Sequence, residues 1–229
     1  MNLNEAIKVR HSVRQYLEKP IETEKIQQLQ NLIDECNREG NLHIQLVTNE
    51  PKAFAGGLAK YGKFGGISNY IAMICKKGND TNLGYYGEKI VLTAQCLGLN
   101  TCWVGLTFSK QPDQYIVAND ETLVCVVSLG YGATQGMQHP AKKTFDNVVE
   151  DKRTNSGNAF PDWLTRGIEA ALLAPTAINQ QKFSFALHDG NKVEAKKRFT
   201  MLNGYAPIDL GIVKCHFEIA AGKENFEWM

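Results

Sequence analysis

The sequence has no marked excess of charge of either sign. Its 229 residues include 25 Lys and Arg against 24 Asp and Glu, which leaves a formal net charge of +1 and a pI near 7.6. This balance argues against a protein that coats nucleic acid or binds acidic surfaces, although it is compatible with a local basic pocket. We therefore expect no nucleic-acid partner. With 43% hydrophobic residues, the chain can bury the core of one large domain or of two small ones.

Long apolar segments and paired cysteines are also missing. No apolar run approaches the roughly 20 residues needed to cross a bilayer, and residues 1–5 are polar and acidic, without the apolar core of a signal peptide. The six cysteines are scattered, with no CxxC pair and no Cys/His group at zinc spacing, and most have apolar neighbours, as buried free thiols do. These absences predict a cytoplasmic protein without membrane contact or a metal site.

Hydrophobic periodicity predicts a mixture of helices and strands. Helical spacing occurs at residues 26–36, 85–97, 164–172 and 210–220, and runs typical of strands occur at 42–48, 70–75, 101–106, 123–129 and 183–187. Helix followed by strand occurs at 24–48 and again at 162–188, which indicates either a weak internal repeat or a chance resemblance between two amphipathic units. Residues 132–160 are polar and are the best candidate for a linker.

The first candidate binding segment is Arg10-His11-Ser12-Val13-Arg14, which follows a predicted short helix. Two guanidinium groups one helical turn apart, with a hydroxyl between them, suit a phosphate, because arginine makes bidentate, charge-assisted hydrogen bonds to phosphate oxygens. The alternative is that these basic residues only favour the dipole at a helix C-terminus and remain solvated.

Two further segments have compositions that suit a flat ligand. In residues 175–181 a proline ends a helix, and small and amide-bearing residues follow, so that backbone groups and amides could face the donor and acceptor edge of a planar heterocycle. In residues 97–105 a short strand ends at Gly105, which would let a ring lie against the backbone. The alternatives are an ordinary helix-to-strand loop and a core strand with a packed Trp103.

Together these segments resemble the FMN-dependent nitroreductase family. The resemblance spans most of the chain and rests on residues 10–16, on residues 87–105, and on residues 128–132 followed by Lys142 and Lys143. It implies an α+β, nitroreductase-like fold with a mixed β-sheet flanked by helices, and a site for FMN.

One departure from the family pattern is large. In the usual member, a Pro-Ser/Thr-x-x-Asn-x-Gln-Pro segment follows the Arg/Ser segment within a few tens of residues, whereas here it stands at 175–181, with Lys182 in place of the last proline. The usual enzymes are homodimers that build each flavin site from both subunits. The resemblance therefore implies an internal pseudo-dimer: residues 1–150 form a flavin-reductase half, residues 160–229 complete the same site, and the chain can be a monomer, with a homodimer left open.

The resemblance also implies roles for individual residues. The segment with Arg10, His11, Ser12 and Arg14 would hold the phosphate and ribityl groups, and Lys142 or Lys143 would add charge at the phosphate. Lys60 and Lys63 would stabilise the anionic reduced ring, unless they lie in a solvated loop. The ring would be bordered by residues from both halves, namely Val104, Gly105, Pro175, Thr176, Ala177 and Asn179.

The implied activity is hydride transfer from NAD(P)H to FMN and then to a small acceptor, such as a nitroaromatic or a quinone, in ping-pong turnover. No catalytic protein nucleophile or acid is expected, and Cys102 is expected only to pack. Three alternatives stay open: a flavin sensor or carrier without substantial turnover, a flavin-free interaction module, and another flavin reaction such as dehalogenation or dehydrogenation of a specific small molecule.

Overall fold

The computed structural model describes residues 1–139, 142–200 and 203–229. The helices in these ranges are α1 Leu3–Val9, α2 Thr23–Gly40, α3 Gly57–Tyr61, α4 Asp80–Cys96, α5 Phe145–Val148, α6 Asp162–Leu172 and α7 Ala206–Ala221. The strands are β1 Gln45–Val47, β2 Asn69–Lys76, β3 Asn100–Val104, β4 Glu121–Gly130, β5 Val149–Asp151, β6 Phe183–His188, β7 Lys192–Lys197 and β8 Glu227–Trp228.

The described strands form two four-stranded sheets. The first has the order β1-β2-β4-β3 and is antiparallel throughout. The second has the order β5-β6-β7-β8, in which β6 and β7 are antiparallel while the two outer pairs are parallel. The predicted α+β class is confirmed, and the strands are divided between two sheets. The apolar run in β2 is explained by burial, since every β2 residue except the last is buried.

Helices α4 and α7, which lie far apart in the sequence, cross at close range. Two glycines make the crossing possible: a Cβ at Gly84 would lie 2.1 Å from the carbonyl oxygen of Ile208, and a Cβ at Gly211 would lie 2.0 Å from that of Thr81. Helix α7 also packs on α6, and one hydrophobic core includes residues of all three helices. The two helices therefore approach each other backbone to backbone, at a distance that a side chain at either glycine would prevent.

The polar segment 132–160 contains short elements that periodicity did not reveal. Helix α5 begins with a capping box between Thr144 and Asn147, and β5 pairs in parallel with β6, placing Val149 opposite Phe185. Elements of three or four residues are too short to show a hydrophobic period. Strands β7 and β8 were not predicted either. The linker prediction therefore missed a strand that belongs to the second sheet.

The two predicted helix-strand units are present as α2 with β1 and as α6 with β6. Among the described strands their neighbours differ, since β1 pairs with β2 alone, whereas β6 lies between β5 and β7. A common origin of the two units stays a prediction. All six cysteines are free, five of them buried, and no helix in the described part of the chain has the length and apolar character that spanning a membrane requires.

Candidate functional site

A cavity of about 780 Å³ lies where the N-terminal segment, the end of β3 and the loop after α6 come together. Its volume falls within the range typical of pockets that bind cofactors. Of the fourteen site residues predicted from the sequence, twelve line it. They are Arg10, His11, Ser12, Arg14, Lys63, Val104, Gly105, Lys142, Pro175, Thr176, Ala177 and Asn179.

The Arg/Ser segment is extended, and the prediction that its arginines lie one helical turn apart is wrong. Helix α1 ends at Val9, and the chain then runs beside other segments: the amide of Val13 donates to the carbonyl of Thr101 at 3.0 Å. In extended chain, residues two apart face the same side. Arg10, Ser12 and Arg14 therefore share one side of the segment and line the cavity; His11 lines it as well, while Val13 is buried in the core.

Arg10 is the most buried cation of the cavity wall. It is 7% exposed, and its Nε lies 3.7 Å from Oε1 of Glu88 without a hydrogen-bond partner among the described residues. A buried N–H without a partner costs free energy, so this atom fits a site that receives an anionic ligand. Arg14 is exposed, with its guanidinium 5.8 Å from the ring centre of Phe64.

Of the four lysines predicted for the site, two line the cavity and two do not. Lys63 follows α3 with a left-handed φ of 59°, and Lys142 donates from Nζ to the carbonyl of Ile178 at 3.3 Å. Lys60, exposed on α3, and Lys143 are not among the lining residues. The described lining cations are Lys8, Arg10, Arg14, Lys63 and Lys142, and the one carboxylate among the described lining residues is Asp209. The wall therefore favours an anion.

The loop 175–181 is fixed by internal hydrogen bonds. The amide of Ala177 donates to Oδ1 of Asp209 at 2.9 Å, and Nε2 of Gln180 donates to Oδ2 at 2.7 Å. Nε2 of Gln181 donates to the carbonyl of Leu172 at 2.8 Å. The prediction that these two glutamine amides face a ligand is wrong, because both are buried and bonded to protein atoms.

The same loop has an unusual backbone. Ile178, Asn179 and Gln181 have φ values of 48°, 53° and 48°, in the left-handed region that residues other than glycine seldom adopt. Each such residue costs on the order of 1–3 kcal/mol and persists only where surrounding contacts impose it. The contacts of Asp209 and of the two glutamines supply this restraint and turn Asn179 toward the cavity.

Asp209 is a lining residue that sequence reasoning missed. It lies in the first turn of α7, and burial raises the pKa of its carboxyl to about 6, although hydrogen bonds from Gln180 and Ala177 oppose part of that rise. The only signal in the sequence was an acidic residue near a helix start. That signal carries no information about a loop about thirty residues away.

The raised pKa of Asp209 predicts how stability depends on pH. The folded protein holds this proton more tightly than the unfolded chain, so the free energy of unfolding should fall as pH rises from about 4 to about 6, by up to roughly 3 kcal/mol. Asp209→Asn should flatten this dependence in urea denaturation at pH 4, 5 and 6. The control Asp113→Asn, at an exposed position, should retain the pH dependence of the parent. If the free energy of unfolding of Asp209→Asn fell as steeply with pH as that of the parent, Asp209 would not be its source.

The end of β3 contributes three adjacent residues to the cavity wall. Trp103 donates from Nε1 to Oε2 of Glu88 at 2.8 Å, as a packed indole does, and it lines the cavity together with Val104 and Gly105. A Cβ at Gly105 would lie 2.6 Å from Oη of Tyr205, so the glycine permits the close approach of this tyrosine. Tyr205 is a second lining residue that the sequence did not reveal.

Burial shifts the pKa of two titratable groups in the wall. Burial, with the nearby charges of Arg10 and His139, lowers the pKa of His11. Burial raises the pKa of the Cys102 thiol, which agrees with the prediction that this cysteine packs and does not react. In the described part of the chain, no group of His, Cys, Asp or Glu could hold a metal ion.

Comparison with known proteins decides the family. A family model described as "Putative TM nitroreductase" matches residues 2–221, which is nearly the whole chain. The chain belongs to this nitroreductase family. Membership supports an oxidoreductase, and it confirms the resemblance that the motifs indicated. Among curated proteins, no sequence matches the chain.

Two solved structures are similar to this chain to different degrees. A crystal structure from Thermotoga maritima, described as a putative nitroreductase, has a TM-score of 0.67 at 22% identity, over 99% of this chain and 87% of that chain. A structure from Desulfovibrio desulfuricans, described as a putative nitroreductase in complex with FMN, has a TM-score of 0.48 at 13% identity, over 61% of this chain and 91% of that chain.

Proposed function

We propose that this family member is an FMN-dependent oxidoreductase that passes hydride or electrons from NAD(P)H to a small acceptor, such as a nitroaromatic or a quinone. The observation that carries the proposal is one cavity lined by both Arg10, Ser12 and Arg14 and residues 175–179. These segments are far apart in sequence. Their meeting at one cavity supports a composite ligand site.

The residues present fit FMN at its phosphate end. Arg10 has a buried Nε without a partner among the described residues, Arg14 is exposed, and Ser12 lies between them on the same side. Arginine and hydroxyl donors suit a phosphate dianion, and Lys142, whose Nζ donates to the carbonyl of Ile178 at 3.3 Å, adds a further positive charge to the cavity wall. Lys143 is left out of the proposed site because it does not line the cavity.

The ring end of the proposed site is bordered by backbone and small side chains. Val104 and Gly105 border one part of the cavity, and the strained loop from Pro175 to Asn179 borders another. Lys63 supplies a positive charge that would stabilise the anionic reduced ring; Lys60 does not line the cavity. When bound, FMN would supply reversible hydride transfer between NAD(P)H and the acceptor.

Exposed apolar side chains support a planar, weakly charged acceptor. Tyr61, Leu106, Met137 and Ile178 line the cavity and are 85%, 72%, 83% and 75% exposed. Side chains that both line a cavity and face solvent border its opening. Apolar groups at the opening favour aromatic nitro compounds and quinones over small ions.

One chain is proposed to build one site. The ranges 1–150 and 160–229 both contribute to the cavity and are joined by the crossing of α4 and α7, so we treat them as halves of one unit and expect a functional monomer. The six free thiols support a reducing compartment such as the cytoplasm.

The visible absorption spectrum tests this function. Protein reconstituted with FMN should show flavin bands at one flavin per chain, which bleach on anaerobic NADH or NADPH and return when a nitroaromatic or a quinone is added. A matched sample with free FMN and no protein controls for direct reduction. Bands that fail to bleach would favour a sensor or carrier, and no binding of FMN would leave the flavin-free module.

A further inference from the structure

A fully buried acid-base pair lies next to Arg10, and neither of its side chains lines the cavity. Glu88 of α4 and His216 of α7 have side chains that are 0% exposed, and Nε2 of His216 lies 2.8 Å from Oε1 of Glu88. The other oxygen of Glu88 accepts the hydrogen bond from Trp103. Arg10 Nε is 3.7 Å from Oε1, beyond hydrogen-bond distance. The proposed chemistry makes no use of this pair.

Hydrogen-bond chemistry fixes how many protons the pair holds. Nδ1 of His216 is 3.0 Å from the carbonyl oxygen of Ala170, which can only accept, so Nδ1 carries a hydrogen. The short contact between Nε2 and Glu88 requires one further proton between them. Whether that proton stays on the imidazole or on the carboxyl, His216 and Glu88 together carry no net charge.

We infer that His216 is a positioning residue, which compensates Glu88 so that the Arg10 charge remains available to an anion in the cavity. The inference rests on the proposed flavin site, and the anion is the FMN phosphate. Arg10 is always protonated, and the pair beside it is neutral, so the cluster presents one net positive charge. The hydrogen bonds from His216 and Trp103 also occupy the carboxylate, which leaves Arg10 Nε unpaired among the described residues.

Loss of His216 would change the partner of Glu88. A carboxylate that is 0% exposed requires compensation, and the guanidinium 3.7 Å away is the nearest cation. Arg10 would then pair with Glu88, and the cluster would become neutral. The cavity would lose a positive charge without the loss of any lining side chain.

A double-mutant cycle separates this role from simple packing. His216→Gln should weaken FMN binding by roughly tenfold or more, since a neighbouring opposite charge commonly shifts equilibria by that much. Adding Glu88→Gln should recover most of the loss, because the carboxylate that captures Arg10 is gone and the amide still accepts from Trp103. The affinities are measured by titrating flavin fluorescence. The control is His188→Gln. Nε2 of His188 lies 3.6 Å from Oε2 of Glu194 in a partly exposed contact, and His188 does not line the cavity, so this variant should bind FMN with unchanged affinity.

A packing role makes the opposite prediction for the double variant. If His216 only fills space, the double variant should bind FMN no more tightly than His216→Gln alone, and that result would overturn the inference. Failure of the unsubstituted chain to bind FMN would instead contradict the proposed function. In that case urea denaturation of the flavin-free variants still tests whether His216 compensates the charge of Glu88. Adding Glu88→Gln should restore the free energy of unfolding that His216→Gln loses. A double variant no more stable than His216→Gln would overturn the inference.

Discussion

Replacing both Arg10 and Arg14 by alanine is expected to weaken FMN binding by at least about 100-fold. The two side chains face the same side of an extended segment, and both line the cavity. Each charge-assisted hydrogen bond to a phosphate is worth about 1.5–3 kcal/mol, so the loss of two accounts for an effect of this size. The measurement is the flavin content of the purified variant, followed by titration with FMN.

A matched double variant controls for the loss of charge alone. Lys60→Ala with Lys143→Ala also removes two positive charges, but neither side chain lines the cavity. This variant should keep the affinity of the parent within about threefold, because exposed charges at a distance are screened by salt. Equal losses in the two variants would show that net charge, and not the geometry of the Arg/Ser segment, determines binding.

Gly211→Ala is expected to lower the free energy of unfolding by about 3 kcal/mol or more. The added Cβ would lie 2.0 Å from the carbonyl oxygen of Thr81 and 2.6 Å from the amide nitrogen of Tyr85. Both atoms belong to the backbone of α4, so relief requires separation of the two helices and not a rotamer change. Urea denaturation at constant pH measures the loss.

A second glycine-to-alanine change provides the comparison. A Cβ at Gly57, at the start of α3, would meet nothing within 4 Å. The free energy of unfolding of Gly57→Ala should therefore stay within about 1 kcal/mol of that of the parent, because alanine is favoured over glycine in a helix. An unchanged free energy of unfolding in Gly211→Ala would mean that α4 and α7 can move apart without loss of stability. FMN affinity should fall with stability in Gly211→Ala if the cavity depends on that contact.

The elements that sequence reasoning found share strong local signals. The buried run in β2 and the apolar faces of α2 and α6 repeat over several residues, and each repeat is visible without knowledge of the partner surface. Helix α4 begins five residues before the predicted start, because Gly84 weakens the helical pattern while serving the contact with α7. Strand β5 and helix α5 were missed because they are short.

The candidate site was located by composition, but its internal roles were not. Segments with unusual donors, such as residues 10–14 and 175–181, stand out in the sequence whatever their conformation. Which donors face a ligand depends on where the chain turns. Gln180 and Gln181 looked equivalent to Asn179 in sequence, yet their amides are bonded to Asp209 and to the carbonyl of Leu172.

The sequence by itself determined the α+β class, the nitroreductase resemblance and the two segments that line the cavity, because each is encoded by residues that are neighbours in the chain. Only the tertiary structure decided that the Arg/Ser segment is extended, that Asp209 fastens the opposite loop, and that Glu88 meets His216 across 128 positions of sequence. The last of these features depends on how α4 and α7 cross. Local patterns do not encode a helix crossing, since it is set by the simultaneous packing of both surfaces.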